Sequence, residues 1–181
     1  MFLEHGYEGT SMNAIAAAAG TTKPTLYTRF PTKEAVFRSV LDWAVQRKDW
    51  PVPEPPAPDP DNLEVALTAI AETALNRALN PSMIKLEQIA ITYAERFPDI
   101  ARRTLGTGFW PRKKLVASIL ARHAETGEIV AEDPETLAGL FLGMASSGPA
   151  RLASFGIVHS TADQELHTRS AVQLFLRSLR P

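Results

Sequence analysis

Apolar side chains recur at every third or fourth position along most of the chain, a spacing that places them on one face of an α-helix. The first such group comprises Met12, Ile15, Ala16 and Ala19. Ser11 precedes this group, and serine commonly caps the N-terminus of a helix. No stretch alternates apolar and polar residues between turn signals as a β-strand would. The pattern therefore predicts an all-α fold.

A short second helix is predicted directly behind Gly20. Glycine adopts the left-handed backbone conformation that a sharp turn between two helices needs. Thr21 or Thr22 can cap the next helix, and Pro24 is tolerated in its first turn. Pro31 then ends this helix, and Thr32 caps a longer one. The N-terminal region thus contains two helices joined by a tight turn, followed by a third.

The outward face of the short helix is polar and carries no acidic residue. Leu26 and Phe30 lie one turn apart and point towards a core. The opposite face and its flanks hold Lys23, Pro24, Thr25, Tyr27 and Thr28. A helix-turn-helix of this kind presents its second helix to the major groove of DNA, where carboxylates would repel phosphate. The geometry therefore indicates a DNA-binding domain.

Proline divides the chain into two parts. Six prolines fall within DWPVPEPPAPDPD, residues 49–61, and this density forbids a helix and favours extended chain. We expect an N-terminal domain over 1–50, a linker over 51–61 and a C-terminal domain over 62–181. Helices are predicted in the last part at 62–79, 82–96, 98–105, 111–126, 134–154 and 161–179. The sequence GTGFWP, residues 106–111, is expected to interrupt the helical pattern.

Composition and charge narrow the classes of function. The chain has 181 residues, a formal net charge of −1 and no cysteine, so thiolate metal sites and disulfides are excluded. It has no apolar run long enough to span a membrane and no signal peptide, which favours a cytoplasmic protein. Residues 20–38 are locally basic, with Glu34 as their only acid. Lys33 opposes the dipole of the helix that it begins, which suggests that an external anion such as a DNA phosphate docks there.

The stretch GYEGTSMNAIAAAAGTTKPTLYTRFPTKEAVF resembles the DNA-binding domain of the TetR/AcrR family of transcriptional regulators. The matching residues are Gly6-Tyr7, Ser11, Ile15-Ala16, Ala19-Gly20, Pro24-Thr25-Leu26-Tyr27, Phe30 and Lys33-Glu34. The resemblance implies a homodimeric repressor that binds a palindromic operator through its N-terminal domains. It also implies a C-terminal domain that binds a small apolar or amphipathic ligand and releases DNA.

The resemblance and the outward face together assign roles to the DNA-binding candidates. Base edges are expected to meet Lys23, Pro24, Thr25 and Thr28. Phosphates are expected to meet Tyr27 and Lys33, and also the helix N-termini at Ser11 and Thr22. For each threonine, a solvated cap or surface residue stays open as the alternative.

The C-terminal domain holds candidates for dimerisation and ligand binding. The last two predicted helices combine apolar faces with small residues, which allow close packing, so we expect them to form the homodimer interface. Ligand-binding candidates are Met83, Leu86, Ala90, Tyr93, Phe97, Leu105, Phe109, Trp110, Phe141 and Met144. Internal packing is the alternative for both sets, since periodicity alone does not distinguish it.

An enzyme is not indicated. The four histidines are scattered, and GMASSG, residues 143–148, lacks the preceding strand and the central serine of a nucleophile elbow. We therefore predict no catalytic residue, no metal and no cofactor. A helical ligand-binding or protein-interaction module without DNA binding remains the alternative function.

The start of the chain departs from the family pattern. Family members carry a full helix before the Gly-Tyr pair, whereas Met1 to His5 make barely one turn. We expect further residues upstream of Met1, and a chain that truly starts there is expected to bind DNA poorly.

Overall fold

The structure of the protein is a computed structural model that describes the backbone of residues 1–46 and 59–180. Side chains are described for these residues except 44–46, 100–101 and 103–110. The described part of the chain is helical and contains no strand, as the apolar spacing predicted. Most of the predicted linker, residues 51–58, lies outside the described residues.

Four helices make up the N-terminal region. They are α1 (Phe2–His5), α2 (Met12–Ala18), α3 (Lys23–Arg29) and α4 (Lys33–Gln46). The remaining helices are α5 (Leu63–Ala78), α6 (Pro81–Thr92), α7 (Pro98–Glu125), α8 (Pro134–Leu142), α9 (Gly148–Ser154) and α10 (Thr161–Ser178). A π-helical turn, Gly143–Ser147, joins α8 to α9.

Local signals fix the ends of α2, α3 and α4. The Oγ of Ser11 accepts a hydrogen bond from the backbone N–H of Ala14, and Thr22 caps α3 in the same way. Gly20 has a φ of 62°, the left-handed conformation predicted for the turn between the helices. Thr32 accepts from the N–H of Ala35 at 3.1 Å and so caps α4. These predictions are confirmed.

The chain divides into two compact units. One consists of Met1–Trp50 and Lys85–Leu105, and the other of Pro51–Ile84 and Gly106–Pro181. The first unit is therefore larger than the predicted domain over 1–50, because side chains from the end of α6 and the segment after it pack on its core. The domain boundaries inferred from the proline-rich stretch stay a prediction.

The core of the second unit is built from α5, α7, α8, the π-helical turn and α10. Its fully buried large side chains include Leu67, Leu120, Phe141 and Leu142. The rings of Phe141 and Phe175 lie 4.9 Å apart between centroids, which ties α8 to α10. Burial of this apolar surface is the main force that stabilises the unit.

The predicted interruption at residues 106–111 is wrong. The backbone is helical from Pro98 to Glu125, and Pro111 lies inside α7. Proline removes one backbone hydrogen bond and glycine has a low helix propensity, but such preferences yield to tertiary contacts. Buried Val116 and Leu120 in the second half of α7 supply such contacts.

The predicted helix over 134–154 is also not uniform. It contains the π-helical turn ahead of Pro149, a residue that has no N–H to donate to a preceding carbonyl. The Nε2 of His167 lies 2.8 Å from the carbonyl oxygen of Met144. Since a carbonyl only accepts, Nε2 carries the proton, and the side chain replaces a backbone donor.

Candidate nucleic-acid interface

The candidate interface is the outward face of α3. Leu26, with 7% of its surface exposed, anchors the helix to the core. The five predicted contact residues on this helix, Lys23, Pro24, Thr25, Tyr27 and Thr28, are all exposed. Because the described part of the chain covers none of them, this surface is available to a large partner such as a DNA groove.

Hydrogen bonds orient the hydroxyl groups on α3. The Oγ1 atoms of Thr22 and Thr25 lie 2.8 Å apart, and the hydroxyl of Thr28 donates to the carbonyl of Pro24 at 3.0 Å. With its proton engaged, the Thr28 oxygen keeps only its acceptor capacity. Thr28 is thus suited to accept from a base amino group rather than to donate.

Two basic side chains on α3, those of Lys23 and Arg29, form no ion pair with a carboxylate of the described residues. Lys23 Nζ lies 5.9 Å from the centroid of the Tyr27 ring, a weak cation–π distance that leaves the ammonium in solvent. Arg29 is exposed at the other end of the helix, 5.7 Å from the Phe30 ring. Among the described residues, no carboxylate forms an ion pair with Lys23 or Arg29. This end of the first unit therefore presents a net positive surface.

Ser11 and Thr22 perform capping, as the sequence predicted, and both remain exposed. The Oγ of Ser11 accepts from a backbone N–H, so its own proton is left to donate to a phosphate oxygen. Both residues stand at the N-termini of helices, where the remaining backbone N–H groups also face outward.

Lys33 has an internal partner that the sequence did not reveal. Its Nζ donates to the carbonyl of Tyr7 at 2.8 Å, lies 4.4 Å from the centroid of the Tyr7 ring and is 3.9 Å from a carboxylate oxygen of Glu8. These contacts explain a lysine in the first turn of α4 without an external anion. The ammonium has a third N–H, and its contact with phosphate stays a prediction.

An aromatic cluster positions the interface. The rings of Tyr7 and Phe37 lie 5.0 Å apart, and Phe97 lies 5.6 Å from Tyr7 and 5.4 Å from Phe37. Tyr93 packs on the same rings at 5.6 and 5.8 Å. All four residues belong to the first unit. Burial raises the pKa of the Tyr7 phenol, which is therefore neutral.

Ion pairs surround this aromatic cluster. The guanidinium of Arg96 lies 4.8 Å from the centroid of the Tyr7 ring and 3.1 Å from a carboxylate oxygen of Glu8. Arg38 bridges Glu34 at 3.1 Å and Asp99 at 2.5 Å. These contacts join α4, and the segment between α1 and α2, to Lys85–Leu105. Sequence periodicity carried no signal for them.

The structure does not bring the ligand-binding candidates together in one described site. Tyr93 and Phe97 belong to the aromatic cluster of the first unit, where Leu86 and Ala90 are also buried. Phe141 belongs to the core of the second unit, and Met144 packs at its edge. Met83 is half-buried on α6. The side chains of Leu105, Phe109 and Trp110 lie outside the described residues, so this set stays a prediction.

The sequence also predicts no metal site and no membrane-spanning segment. The described residues include no group of three or more His, Asp or Glu side chains placed to hold a metal ion. None of the described helices is both long and apolar enough to cross a membrane.

Comparison with known proteins identifies the family. The model for bacterial regulatory proteins of the tetR family matches residues 1–40, and that for the C-terminal domain of AefR-like transcriptional repressors matches residues 65–180. The HTH-type transcriptional repressor ComR of Escherichia coli strain K12 is 47% identical over 47 residues, which are 26% of this chain and 22% of that protein.

Solved structures agree over nearly the whole chain. A TetR-family transcriptional regulator from Mesorhizobium loti MAFF303099 is 27% identical with a TM-score of 0.75, and the flavonoid-responsive regulator FrrA is 28% identical with a TM-score of 0.78. Each match covers 99% of this chain and 91% of the other. The chain belongs to the TetR family of bacterial transcriptional regulators, which are DNA-binding proteins and not enzymes.

Proposed function

We propose that the protein is a homodimeric repressor that binds a palindromic operator through α3 and is released from DNA by a small apolar or amphipathic ligand. The observation that carries the proposal is the exposed, acid-free outward face of α3, a helix whose N-terminus is capped by Thr22. A helix of this kind enters the major groove with its N-terminal residues against base edges.

The chemistry of each side chain suggests its contact. Lys23 offers a donor to the O6 and N7 acceptors of guanine, and the methyl of Thr25 or the ring of Pro24 suits the methyl of thymine. Tyr27 and Lys33 would hold phosphates on either side. The hydroxyls of Ser11 and Thr22 would add phosphate contacts at two helix N-termini.

Exposed leucines support dimerisation through the last helices. Leu140 on α8 and Leu174 on α10 are 59% and 61% exposed. They line a shallow groove of about 250 Å³ together with Leu137, Met144, Phe175 and Ser178. A Cβ atom added at Gly143 would meet nothing within 4 Å, so a partner helix has room to approach. A contiguous apolar surface of this kind is typical of a protein interface. Since members of the family commonly form homodimers, we propose that a second copy of the chain covers it.

A small-molecule inducer is supported by family membership and by FrrA, whose description as flavonoid-responsive applies to that protein. The apolar candidates suit an uncharged or amphipathic ligand, since Met83 on α6 and Met144 in the π-helical turn adapt their shape easily. The ligand would bias the regulator by binding better to the form that does not bind DNA.

DNA binding is tested with operators that the wild-type protein selects from a random pool. We measure affinity by fluorescence anisotropy at several salt concentrations for the wild type, Lys23→Ala and the control Lys114→Ala, which removes an exposed lysine from the second unit. Lys23→Ala should cost about 1–3 kcal/mol and relax preference at one base pair, while the control stays near the wild type. The absence of salt-dependent binding would refute DNA binding and favour the module without it. Equal loss in both variants would refute the proposed interface.

Dimerisation is tested separately by analytical ultracentrifugation. Leu174→Glu places a charge in the proposed interface and should yield monomers. Val65→Glu, at a position 53% exposed on α5, should not change the mass. A monomeric wild type, or a dimeric Leu174→Glu variant, would contradict this part of the proposal.

A further inference from the structure

His123 makes two hydrogen bonds that hold different parts of the second unit together. It lies in the last turn of α7 with only 5% of its surface exposed. Its Nδ1 is 2.5 Å from a carboxylate oxygen of Glu128, and its Nε2 is 2.9 Å from the carbonyl oxygen of Pro60. Pro60 is the last proline of the proline-rich stretch, so the ring links α7 to the segment that leads into α5.

Both partners of the ring are acceptors only. A carboxylate and a backbone carbonyl have no proton to give, so each ring nitrogen must donate. A histidine that donates from both nitrogens is an imidazolium cation. Neutral His123 would lose one of the two bonds and leave an acceptor facing a bare nitrogen of the buried ring, which is unfavourable.

The neighbouring backbone holds the carboxylate in place. The N–H of Glu128 donates to the carbonyl of His123 at 3.1 Å, and the hydroxyl of Thr126 donates to the same carbonyl at 2.9 Å. A cation at the C-terminus of a helix is also favoured by the helix dipole. The turn after α7 is therefore shaped around a charged ring.

Other charged groups face His123 from the same elements. Arg122 on α7 forms an ion pair with Asp61, and Asp59 accepts from the N–H of Asp61 at 3.0 Å. Arg122 acts against the charge on the ring, whereas Glu128 favours it. The segment before α5 thus rests on α7 through one exposed ion pair and one buried cation.

We propose that His123 is a proton-controlled link, which as an imidazolium holds the Pro60 carbonyl on the end of α7 and on deprotonation lets this segment detach. The link is a regulatory device that goes beyond the DNA-binding function. The ordinary pKa of a histidine ring lies close to neutral pH, so the charge of such a ring responds to modest changes in acidity.

The direction of the pH dependence follows from the environment of the ring. Burial acts to lower the pKa of His123, but the hydrogen bonds to Glu128 and to the Pro60 carbonyl, with the Glu128 charge, outweigh it and raise the pKa above 6.5. A raised folded-state pKa means that the stabilisation is complete below 6.5 and is lost as the pH rises through the folded value.

The test is a ¹H–¹⁵N NMR titration of the histidine rings in the full chain. The signals of His123 are assigned by their loss in His123→Gln or, if that variant does not fold, by through-bond correlation with the assigned backbone amide of the same residue. At a pH just above 6.5 we expect both ring nitrogens of His123 to be protonated. Glu128→Gln should lower its pKa below the wild-type value, while Arg122→Gln, which removes a like charge, should raise it.

Amide exchange provides a second readout. Exchange at Asp61, corrected for the intrinsic effect of pH, should quicken about tenfold once His123 is neutral, as expected for the loss of one charge-assisted hydrogen bond. Glu128→Gln should show the same quickening at lower pH. Three results would each overturn the proposal. They are a His123 ring with one unprotonated nitrogen below pH 6.5, a His123 pKa that Glu128→Gln leaves unchanged, and an exchange rate at Asp61 that does not change as the ring titrates.

Discussion

Substitution of Phe37 by alanine should destabilise the first unit and abolish operator binding with it. Phe37 is fully buried on α4, and four aromatic rings surround it. The centroids of Phe2, Tyr7, Phe97 and Tyr93 lie 5.1, 5.0, 5.4 and 5.8 Å from that of Phe37. Removal of its ring leaves a cavity that these rigid rings cannot close.

The magnitude follows from burial and packing. Phenylalanine-to-alanine substitutions in a core cost about 3–5 kcal/mol, and we expect a loss in the middle of that range, at about 4 kcal/mol, for the fully buried Phe37. Since about 1.4 kcal/mol is a factor of ten, the unfolded fraction of the first unit should rise roughly a thousandfold. Much of the total stability of a domain, about 5–15 kcal/mol, would be lost.

Urea denaturation followed by circular dichroism measures the loss, and amide exchange in α2, α3 and α4 locates it in the first unit. Val40→Ala is the matched control, because Val40 lies one turn along the same helix and is 41% exposed. It should change stability by about 0.5 kcal/mol or less. A loss below about 1 kcal/mol for Phe37→Ala would refute the view that this cluster holds the helix-turn-helix.

Three further predictions concern local contacts of the same unit, all measured by urea denaturation. Ser11→Ala removes the cap of α2 and should cost about 1 kcal/mol, whereas Asn13→Ala, exposed on the same helix, should cost far less. Arg96→Ala loses an exposed ion pair and a cation–π contact, together about 1 kcal/mol, and the loss should shrink with added salt. Burial raises the pKa of Glu87, so its charged form destabilises the fold at neutral pH. Glu87→Gln should therefore be more stable than the wild type at neutral pH, with the gain vanishing as the pH falls below 4.5; a gain that persists in acid would contradict this.

Features that depend on neighbours in the sequence were predictable. A serine or threonine cap acts on an N–H two or three residues away, and the left-handed turn at Gly20 depends on the absence of a Cβ atom. The caps at Ser11, Thr22 and Thr32, and the order of helices around α3, could therefore be read from the chain. The candidate face of α3 followed from Leu26, which fixes which side is buried.

Features that depend on distant residues were not predictable. The spacing of Tyr93 and Phe97 shows that they share a helical face, but not that Tyr7 and Phe37 cover this face. Lys33 likewise suggested an external anion, because its real acceptor, the carbonyl of Tyr7, is remote in sequence. Pro111 indicated a break in α7 because the helix propensity of a residue carries no information about the burial of residues further along the helix.

The aromatic cluster has a consequence for engineering chimeric regulators. Its rings come from residues before position 50 and from residues after position 85, so the first unit, which carries the helix-turn-helix, is not encoded by one continuous stretch of sequence. A transplant of residues 1–50 alone onto a foreign effector domain would leave Tyr7 and Phe37 facing mismatched surfaces. A graft that also carries Lys85–Leu105 would keep the aromatic cluster of the first unit intact. Redesign of the recipient segment that packs on Tyr7 and Phe37 would serve the same purpose.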